Sequence, residues 1–529
     1  MGLEFVLHRL AGYARRSNAS VRVVLGERLA GPGLLVLLMA LFQFAVWGML
    51  SGALAVAPPD DSLEQVLLSQ ELRLEYGKHP PLPTWLLFAF NRLFGPSIGA
   101  TYVLGSLCAV ATMLLLYAFA RPLVGAHRAA LAAILMSNIE YMNAGTAYFN
   151  HNTVQLPLAM LAIMLFHRAL TRTRWVDWAL FGFGCGLMML AKLSAVVLFV
   201  SFAVYLAWAR RLGEASVWKG LAVAALVGSF VFLPYQLAVR ADPWSPNSYA
   251  MHSIFPGDIS RLQALKTVWG FASSQLAKVA PAVLLFALLR WGAPRAADSP
   301  ERPVALGPFL TCVGFGPVVL TVVIAALTGA YLLVGWGTTF HVLLTFWLVA
   351  ASPLAFEVKP RVLLQAVVAS VALQSLLWAL VTTHGGRVPN LNPTPHPVAS
   401  PTPPQLAEAA SKAWALHCAA PLRFVLTDRQ TGAALAVRFR GRPQVIDAAR
   451  PEFTKFFPEE VRLADGAVVV VKQASKALPA VAPEGPLKGL IAVAVWQTRV
   501  ELPSSDGTLY PYLIGILAPA AGQGCEYAQ

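Results

Sequence analysis

Between two long apolar segments the chain carries "APPDDSLEQVLLSQELRLEYGKHPPLPTWLLFAFNRLFG", residues 57–95, where acids, a lysine, a histidine and paired prolines crowd together. A carboxylate set against a hydroxyl can take its proton as a general base. An ammonium set against a phosphate stabilises negative charge as it develops. Asp60 and Asp61 open the stretch, and Lys78 and His79 follow, Lys78 seventeen residues after Asp61. Pro80 and Pro81 restrict the backbone there, which would hold Lys78 and His79 at a defined place. Glu64 and Gln65 lie about one helical turn beyond Asp61 on its face, able to bind a hydroxylated ligand or to orient the base. Each has a plainer reading. "PPDD" before "SLEQVLLSQELRL" is also a good solvated helix cap, Lys78 a headgroup-contacting cation, and Glu64 and Gln65 solvated side chains.

More candidates lie further along. Asn150 and Asn152 would position a hydroxyl or water, or, with His151 between them, simply cap the helix that follows. Lys192, in "MLAKLSA", is either a phosphate ligand or a lysine snorkelling from a helix end. Arg240, Arg261 and Lys266 are a reserve of cations that read equally as interfacial anchors.

The elements that must position these groups are membrane helices. The chain of 529 residues is 57% hydrophobic and 12% charged, whereas soluble domains carry about a quarter charged residues. Its net charge of +14 comes from short Arg and Lys clusters between apolar segments, which orients a protein in a bilayer and does not make a nucleic-acid surface. Crossing the hydrocarbon takes about 20 apolar residues. Eleven segments qualify: 33–57, 98–120, 128–147, 153–170, 175–191, 193–209, 219–239, 276–290, 304–327, 330–352 and 361–381. Residues 1–32 carry five arginines and no cleavage pattern, so they are expected in the cytoplasm. Arginines and lysines then fall in alternate loops, and an odd number of spans leaves the C-terminus outside.

The expected organisation is an all-α polytopic membrane domain over 33–383 with outer loops at 58–97 and 240–275. A Pro-rich linker follows at 384–405, then a small α/β domain at 406–529. There "RFVLTD", "AVVVVKQ", "IAVAVWQT" and "LYPYLIGIL" read as strands behind the helical "PPQLAEAASKAWAL". Cys418 and Cys525 lie in this external tail as a candidate disulfide, the alternative being two free thiols. A P-loop, a GxGxxG and metal-ligand spacings such as CxxC or HExxH are all missing, which argues against nucleotide-driven transport.

The block "DDSLEQ…LRLEYGKHPPLPTWL" resembles the Asp-Glu…Tyr…Pro-Pro-Leu…Trp block of membrane glycosyltransferases with the C-type (GT-C) fold. That group includes the protein O-mannosyltransferase-like enzymes and the aminoarabinose transferase acting on lipid A, and the likeness is to a bacterial lipopolysaccharide-modifying branch. "AYFNHNTVQLPLAMLAIML" falls where the family has its second acidic motif. "GFGCGLMMLAKLSAVVLFV" is similar to its "GL…L.K" segment and sets Lys192 in a tight external turn. "GWGTTFHVLLTFWL", 335–348, is a fainter echo, and the likeness spans roughly residues 30–350.

The resemblance implies transfer of a sugar, with inversion, from a polyprenyl-phosphate donor to a glycolipid acceptor such as lipid A or the lipopolysaccharide core. It implies the periplasmic face of a bacterial inner membrane and contact with membrane lipids. Asp61 would be the base. Lys78 and Lys192 would bind the donor phosphate, with Arg240, Arg261 and Lys266 in reserve; Asp60, Glu64, Gln65, His79, Asn150 and Asn152 would position substrate. No cofactor or metal is expected, and an unrecognised divalent cation stays open. The sequence departs from the pattern twice: Ser62 follows Asp61, and Asn152 stands where an acid is usual, so Asp61 carries the base role alone. A protein acceptor on the same scaffold is the alternative. A lipid-sugar flippase is the non-enzyme reading; it predicts charges inside the spans, where the sequence offers only Glu140 in "SNIEYMNAG".

Overall fold

The computed structural model describes residues 31–55, 59–240, 245–257, 259–291, 306–352, 354, 356–384, 404–450, 464–473, 486–503, 509–519 and 525. Apart from their edges, the segments 1–32 and 384–405 lie outside the described residues, as does the side chain of Asp60.

The membrane region begins with α1 (Pro32–Leu54), which passes through a π-helical stretch at Phe44–Leu50. Next come α2 (Asp60–Leu68), α3 (Leu82–Phe94), α4 (Gly99–Val124) and α5 (Ala126–Met136). After an irregular passage the chain forms α6 (His151–Arg172), α7 (Trp175–Ala191), α8 (Ala195–Trp208) and α9 (Ala215–Val239). The region ends with α10 (Pro246–Ile254), α11 (Arg261–Trp291), α12 (Leu306–Thr328), a 3₁₀ segment (Val334–His341), α13 (Leu344–Ala350) and α14 (Pro360–His384). Among the described residues seven helices, α1, α4, α6, α9, α11, α12 and α14, are long and apolar enough to cross a membrane. Shorter apolar helices are α5, α7, α8 and Val334–Ala350. The expected apolar segments all fall on these elements, but some boundaries move. The third segment stops being α-helical at Met136, and α11 starts at Arg261, fifteen residues before the expected span at 276.

The irregular passage, residues 137–150, matters for the site because it leads into α6. Non-helical backbone at membrane depth survives only where protein groups satisfy it. Here Gln374 Nε2 donates to the Ser137 carbonyl at 3.0 Å and Asn143 Nδ2 to the same oxygen at 3.0 Å. Asn138 Nδ2 donates to Ser370 Oγ at 2.8 Å, and the Gln43 amide donates to the Met142 carbonyl. Glu140, the odd charge in the sequence, is ion-paired to Lys278 of α11 at 2.6 Å. The sequence reading overlooked Lys278 because it sits in the middle of an apolar run.

Helix α4 packs against this passage so closely that a Cβ at Gly105 would lie 1.9 Å from the Thr146 carbonyl oxygen. Gly105→Ala should therefore push the 137–150 backbone away and destabilise the protein by about 1–3 kcal/mol. A lowered unfolding midpoint of the detergent-purified protein would register it.

Helix α3 exposes apolar side chains, Leu93 and Phe94 among them. The Trp85 indole donates to the Arg73 carbonyl at 2.7 Å, tying α3 to the loop before it.

The C-terminal region is a small mixed α/β unit. It comprises α15 (Gln405–His417), β1 (Phe424–Thr427), α16 (Arg429–Ala436), β2 (Gln444–Asp447), β3 (Ala467–Lys472), α17 (Pro486–Ala492), β4 (Trp496–Pro503) and β5 (Leu509–Leu517). The sheet order is β2-β1-β3-β5-β4. Strand β1 runs parallel to β2 and β3 (Val425 opposite Val445 and Val468), and β5 is antiparallel to β3 and β4. "IAVAVWQT" is not one strand: α17 continues to Ala492, seating Leu487 and Ile491 on the sheet, and β4 starts at Trp496. Strand β2 was missed because its four residues are too short to show a period. Cys418 and Cys525 are joined by a disulfide.

This unit is docked on α2. Leu63, Val66 and Leu67 share one core with Leu406, Val425, Ala433 and Val445. Gln70, just past α2, mimics a neighbouring strand for β2: its Nε2 donates to the Val445 carbonyl at 2.8 Å and its Oε1 accepts from the Val445 amide at 2.9 Å.

Candidate active site

Asp61 lies in the first turn of α2, exposed to solvent. Its Oδ2 accepts from Asn150 Nδ2 at 2.9 Å. Asn150 is also the N-cap of α6, its Oδ1 accepting from the amides of Asn152 at 2.8 Å and Thr153 at 3.1 Å. Asn150 thus both caps the helix and holds the carboxylate, so the two readings of this asparagine are compatible. Asn152 turns the other way and accepts from Lys192 Nζ. One helix start therefore connects Asp61 with Lys192.

Lys192 is 8% exposed, in the turn between α7 and α8, with Gln155 Nε2 of α6 bonded to its carbonyl at 2.9 Å. Its ammonium faces the Trp336 ring, 5.7 Å from the centroid. Burial pulls the Lys192 pKa down to about 7, against the opposing pull of Asp61. Lys78 pairs with the buried Glu64 at 3.0 Å and lies 5.1 Å from the centre of the Tyr249 ring. Burial alone would lower its pKa, but Glu64, Tyr249 and Asp61 together raise it above the ordinary value. Lys78 therefore stays an ammonium while Lys192 is poised.

His79 packs against His151, ring centroids 3.7 Å apart and planes tilted by 37°, with Tyr249 edge-on at 5.2 Å. Burial and the charges of Lys78 and Lys192 hold the His79 pKa well below its usual range, so its imidazole is neutral. His151 Nδ1 is buried and has no hydrogen-bond partner among the described residues. Gln65 is turned away: its Oε1 accepts from Thr84 Oγ1 at 2.8 Å, which makes it a brace between α2 and α3. Arg240, Arg261 and Lys266 are exposed, and among the described residues no hydrogen bond or ion pair joins them to this cluster.

Four residues in or around the cluster have no catalytic or binding role that the sequence suggests. His151 stood in plain view beside the helix cap. Tyr249 comes from a distant segment with no motif, Trp336 from the fainter echo at 335–348 to which no role was attached, and Arg429 of α16 approaches Glu64 to 3.8 Å from the C-terminal region. A second polar group stands behind Trp336. Tyr141 Oη donates to the Val334 carbonyl at 2.9 Å, and Gln275 Nε2 donates to the same oxygen at 3.1 Å. They fix the 3₁₀ segment that presents Trp336 to Lys192. Among the described residues no three His, Cys, Asp or Glu side chains gather as a metal site would.

The arrangement brings an open carboxylate, two ammonium groups and two imidazoles to one end of the membrane region. It can accept a proton from a hydroxyl and hold a phosphate. Asn150→Ala would leave Asp61 free to wander; a hydrogen bond to a charged group is worth about 1.5–3 kcal/mol, so turnover should fall roughly tenfold or more. A kcat drop with donor KM nearly unchanged is the expected kinetic signature.

The family profile "Dolichyl-phosphate-mannose-protein mannosyltransferase" matches residues 78–235. The undecaprenyl phosphate-alpha-4-amino-4-deoxy-L-arabinose arabinosyl transferase 1 of Pseudomonas fluorescens is 30% identical over 232 residues, 40% of each chain. The lipopolysaccharide core galacturonosyltransferase RgtA of Rhizobium johnstonii is 27% identical over 190 residues, 34% of this chain and 37% of that one. The matched stretch thus spans well under half the length of these curated relatives. The crystal structure of ArnT from Cupriavidus metallidurans bound to undecaprenyl phosphate superimposes with a TM-score of 0.59 at 13% identity, covering 93% of this chain and 99% of that one. Its apo form gives 0.56 at 14% identity, covering 94% and 98%. The chain is related to these transferases and has the GT-C fold.

Proposed function

We propose that this protein is an inverting glycosyltransferase that moves a sugar from a polyprenyl-phosphate donor to a lipid A or lipopolysaccharide-type acceptor at the periplasmic face of a bacterial inner membrane. The observation that carries the reading is the bridge from Asp61 through Asn150 and Asn152 to Lys192, with Lys78 close by. The bridge fixes a carboxylate relative to one ammonium, and Glu64 of the same helix as Asp61 holds the second. The relatives named for undecaprenyl-phosphate and lipopolysaccharide chemistry support the choice of donor and acceptor.

In the reaction the acceptor oxygen attacks the anomeric carbon on the face opposite the phosphate, and Asp61 takes the hydroxyl proton. The bond from that carbon to the phosphate oxygen breaks with its electron pair, so configuration inverts. A singly charged phosphodiester becomes a doubly charged monoester, and Lys78 and Lys192 stabilise the added charge. His79, neutral, is able to donate to or accept from sugar hydroxyls. Glu64 holds Lys78 and does not itself face the sugar.

The same reading assigns residues 1–32 to the cytoplasm, 33–383 to the catalytic membrane domain, 384–405 to a linker and 406–529 to the periplasm. A flippase would need charges free to line a path through the bilayer, whereas Glu140 and Lys278 neutralise each other. Mass spectrometry of lipid A and core glycolipids from cells with and without the protein is the test. Loss of one sugar from the glycolipid is the expected result. An unchanged glycolipid beside altered secreted glycoproteins would replace the acceptor with a protein.

A further inference from the structure

Glu64 is 4% exposed, and a carboxylate so deeply buried needs a compensating charge. Lys78 supplies one at 3.0 Å. If Lys78 were its sole partner, the pair would be neutral overall, and an arriving phosphate would have to compete with Glu64 for the ammonium. A second cation is present: Arg429 Nη1 lies 3.8 Å from the same Oε2. Arg429 thus takes up part of the carboxylate charge that would otherwise fall on Lys78 alone.

Arg429 is held where it is by several independent contacts. It is the first residue of α16, whose N-cap Asp428 accepts from the amides of Gln430 at 2.9 Å and Thr431 at 3.0 Å. The helix packs so closely on α2 that a Cβ at Gly432 would lie 3.3 Å from Leu67 Cδ2. The paired bonds between Gln70 and Val445 fix the adjoining strand edge. The C-terminal region is thus fastened to the helix that carries both Asp61 and Glu64.

We infer that Arg429 is a positioning residue through which the C-terminal region shares the charge of Glu64, so that Lys78 keeps its ammonium available for the donor phosphate. The inference rests on the polyprenyl-phosphate reading above. It gives the C-terminal region a direct part in donor capture, beyond tethering.

The test is equilibrium binding of undecaprenyl phosphate to the purified full-length protein, comparing Arg429→Ala and Arg429→Lys, each in the wild-type and Glu64→Gln backgrounds. Contacting charged residues couple measurably in such cycles, so Arg429→Ala should weaken binding about tenfold, with Arg429→Lys recovering most of the loss. In the Glu64→Gln background, where Lys78 has no carboxylate to serve, the same Ala substitution should change binding by less than about twofold. Equal weakening in both backgrounds, or none in either, would overturn the inference, since a merely structural arginine would act regardless of Glu64. Failure of the wild-type protein to bind undecaprenyl phosphate would instead remove the donor assignment on which it stands.

Discussion

Asp61→Asn should lower transfer by about 10²–10⁴-fold, the usual worth of a positioned general base. Asparagine keeps the size of the side chain and can still bond to Asn150, so α2 and its contacts should be undisturbed. Donor binding should be retained or tightened, because Asp61 is an anion close to the place where a phosphate must sit. A fall in kcat with a constant or lower donor KM is the pattern of an interaction made in the transition state. Wild-type turnover in Asp61→Asn membranes would remove the assigned base, because the nearby carboxamides of Asn150 and Asn152 cannot serve as one.

The second large effect is expected at Lys192, and it depends on pH. Lys192→Ala should raise the donor KM by about tenfold to a hundredfold, as loss of a charge-assisted contact to phosphate does. With its pKa drawn down to about 7 by burial, Lys192 is an ammonium below that pH and an amine above it. The wild-type donor KM should therefore rise as pH climbs from about 6 to about 8.5. Lys192→Arg, which keeps its charge throughout, should flatten that rise, and Lys192→Ala should be weak at every pH. Lys78 should add no slope, because its partners raise its pKa. Asp61→Asn removes the nearby anion that favours the ammonium, so in that variant the rise should begin at lower pH. A donor KM insensitive to pH in the wild-type protein would contradict the placement of Lys192 at the phosphate.

Much of this site was legible because its chemistry is concentrated in short stretches. The acids, Lys78 and His79 lie within one loop, and the double proline after His79 marks a fixed turn. Lys192 stood out as a charge between two apolar runs. What the sequence hid were connections over distance. Gln70 and Val445 are 375 residues apart, and nothing in the local pattern of either announces the pairing. Arg429 looks like one more surface arginine until α16 is packed on α2. Gln65 shares the helix with Asp61 and was read as facing substrate; the choice between substrate and Thr84 is made by tertiary packing against α3. Residues 137–147 of the irregular passage look like membrane span in the sequence because apolar composition does not distinguish helix from buried irregular backbone. Its polar residues, Ser137, Asn138 and Asn143, are there to satisfy that backbone.

The central claim is that Lys78 and Lys192 together receive the phosphate of a prenyl carrier. Binding of undecaprenyl phosphate to the purified protein, measured by calorimetry beside the Lys78→Ala/Lys192→Ala double variant, tests it without knowledge of the sugar. Saturable one-to-one binding by the wild-type protein, weakened at least about a hundredfold in the double variant, is the result predicted from two charge-assisted contacts. Equal affinity in the two proteins, with both folded, would contradict it.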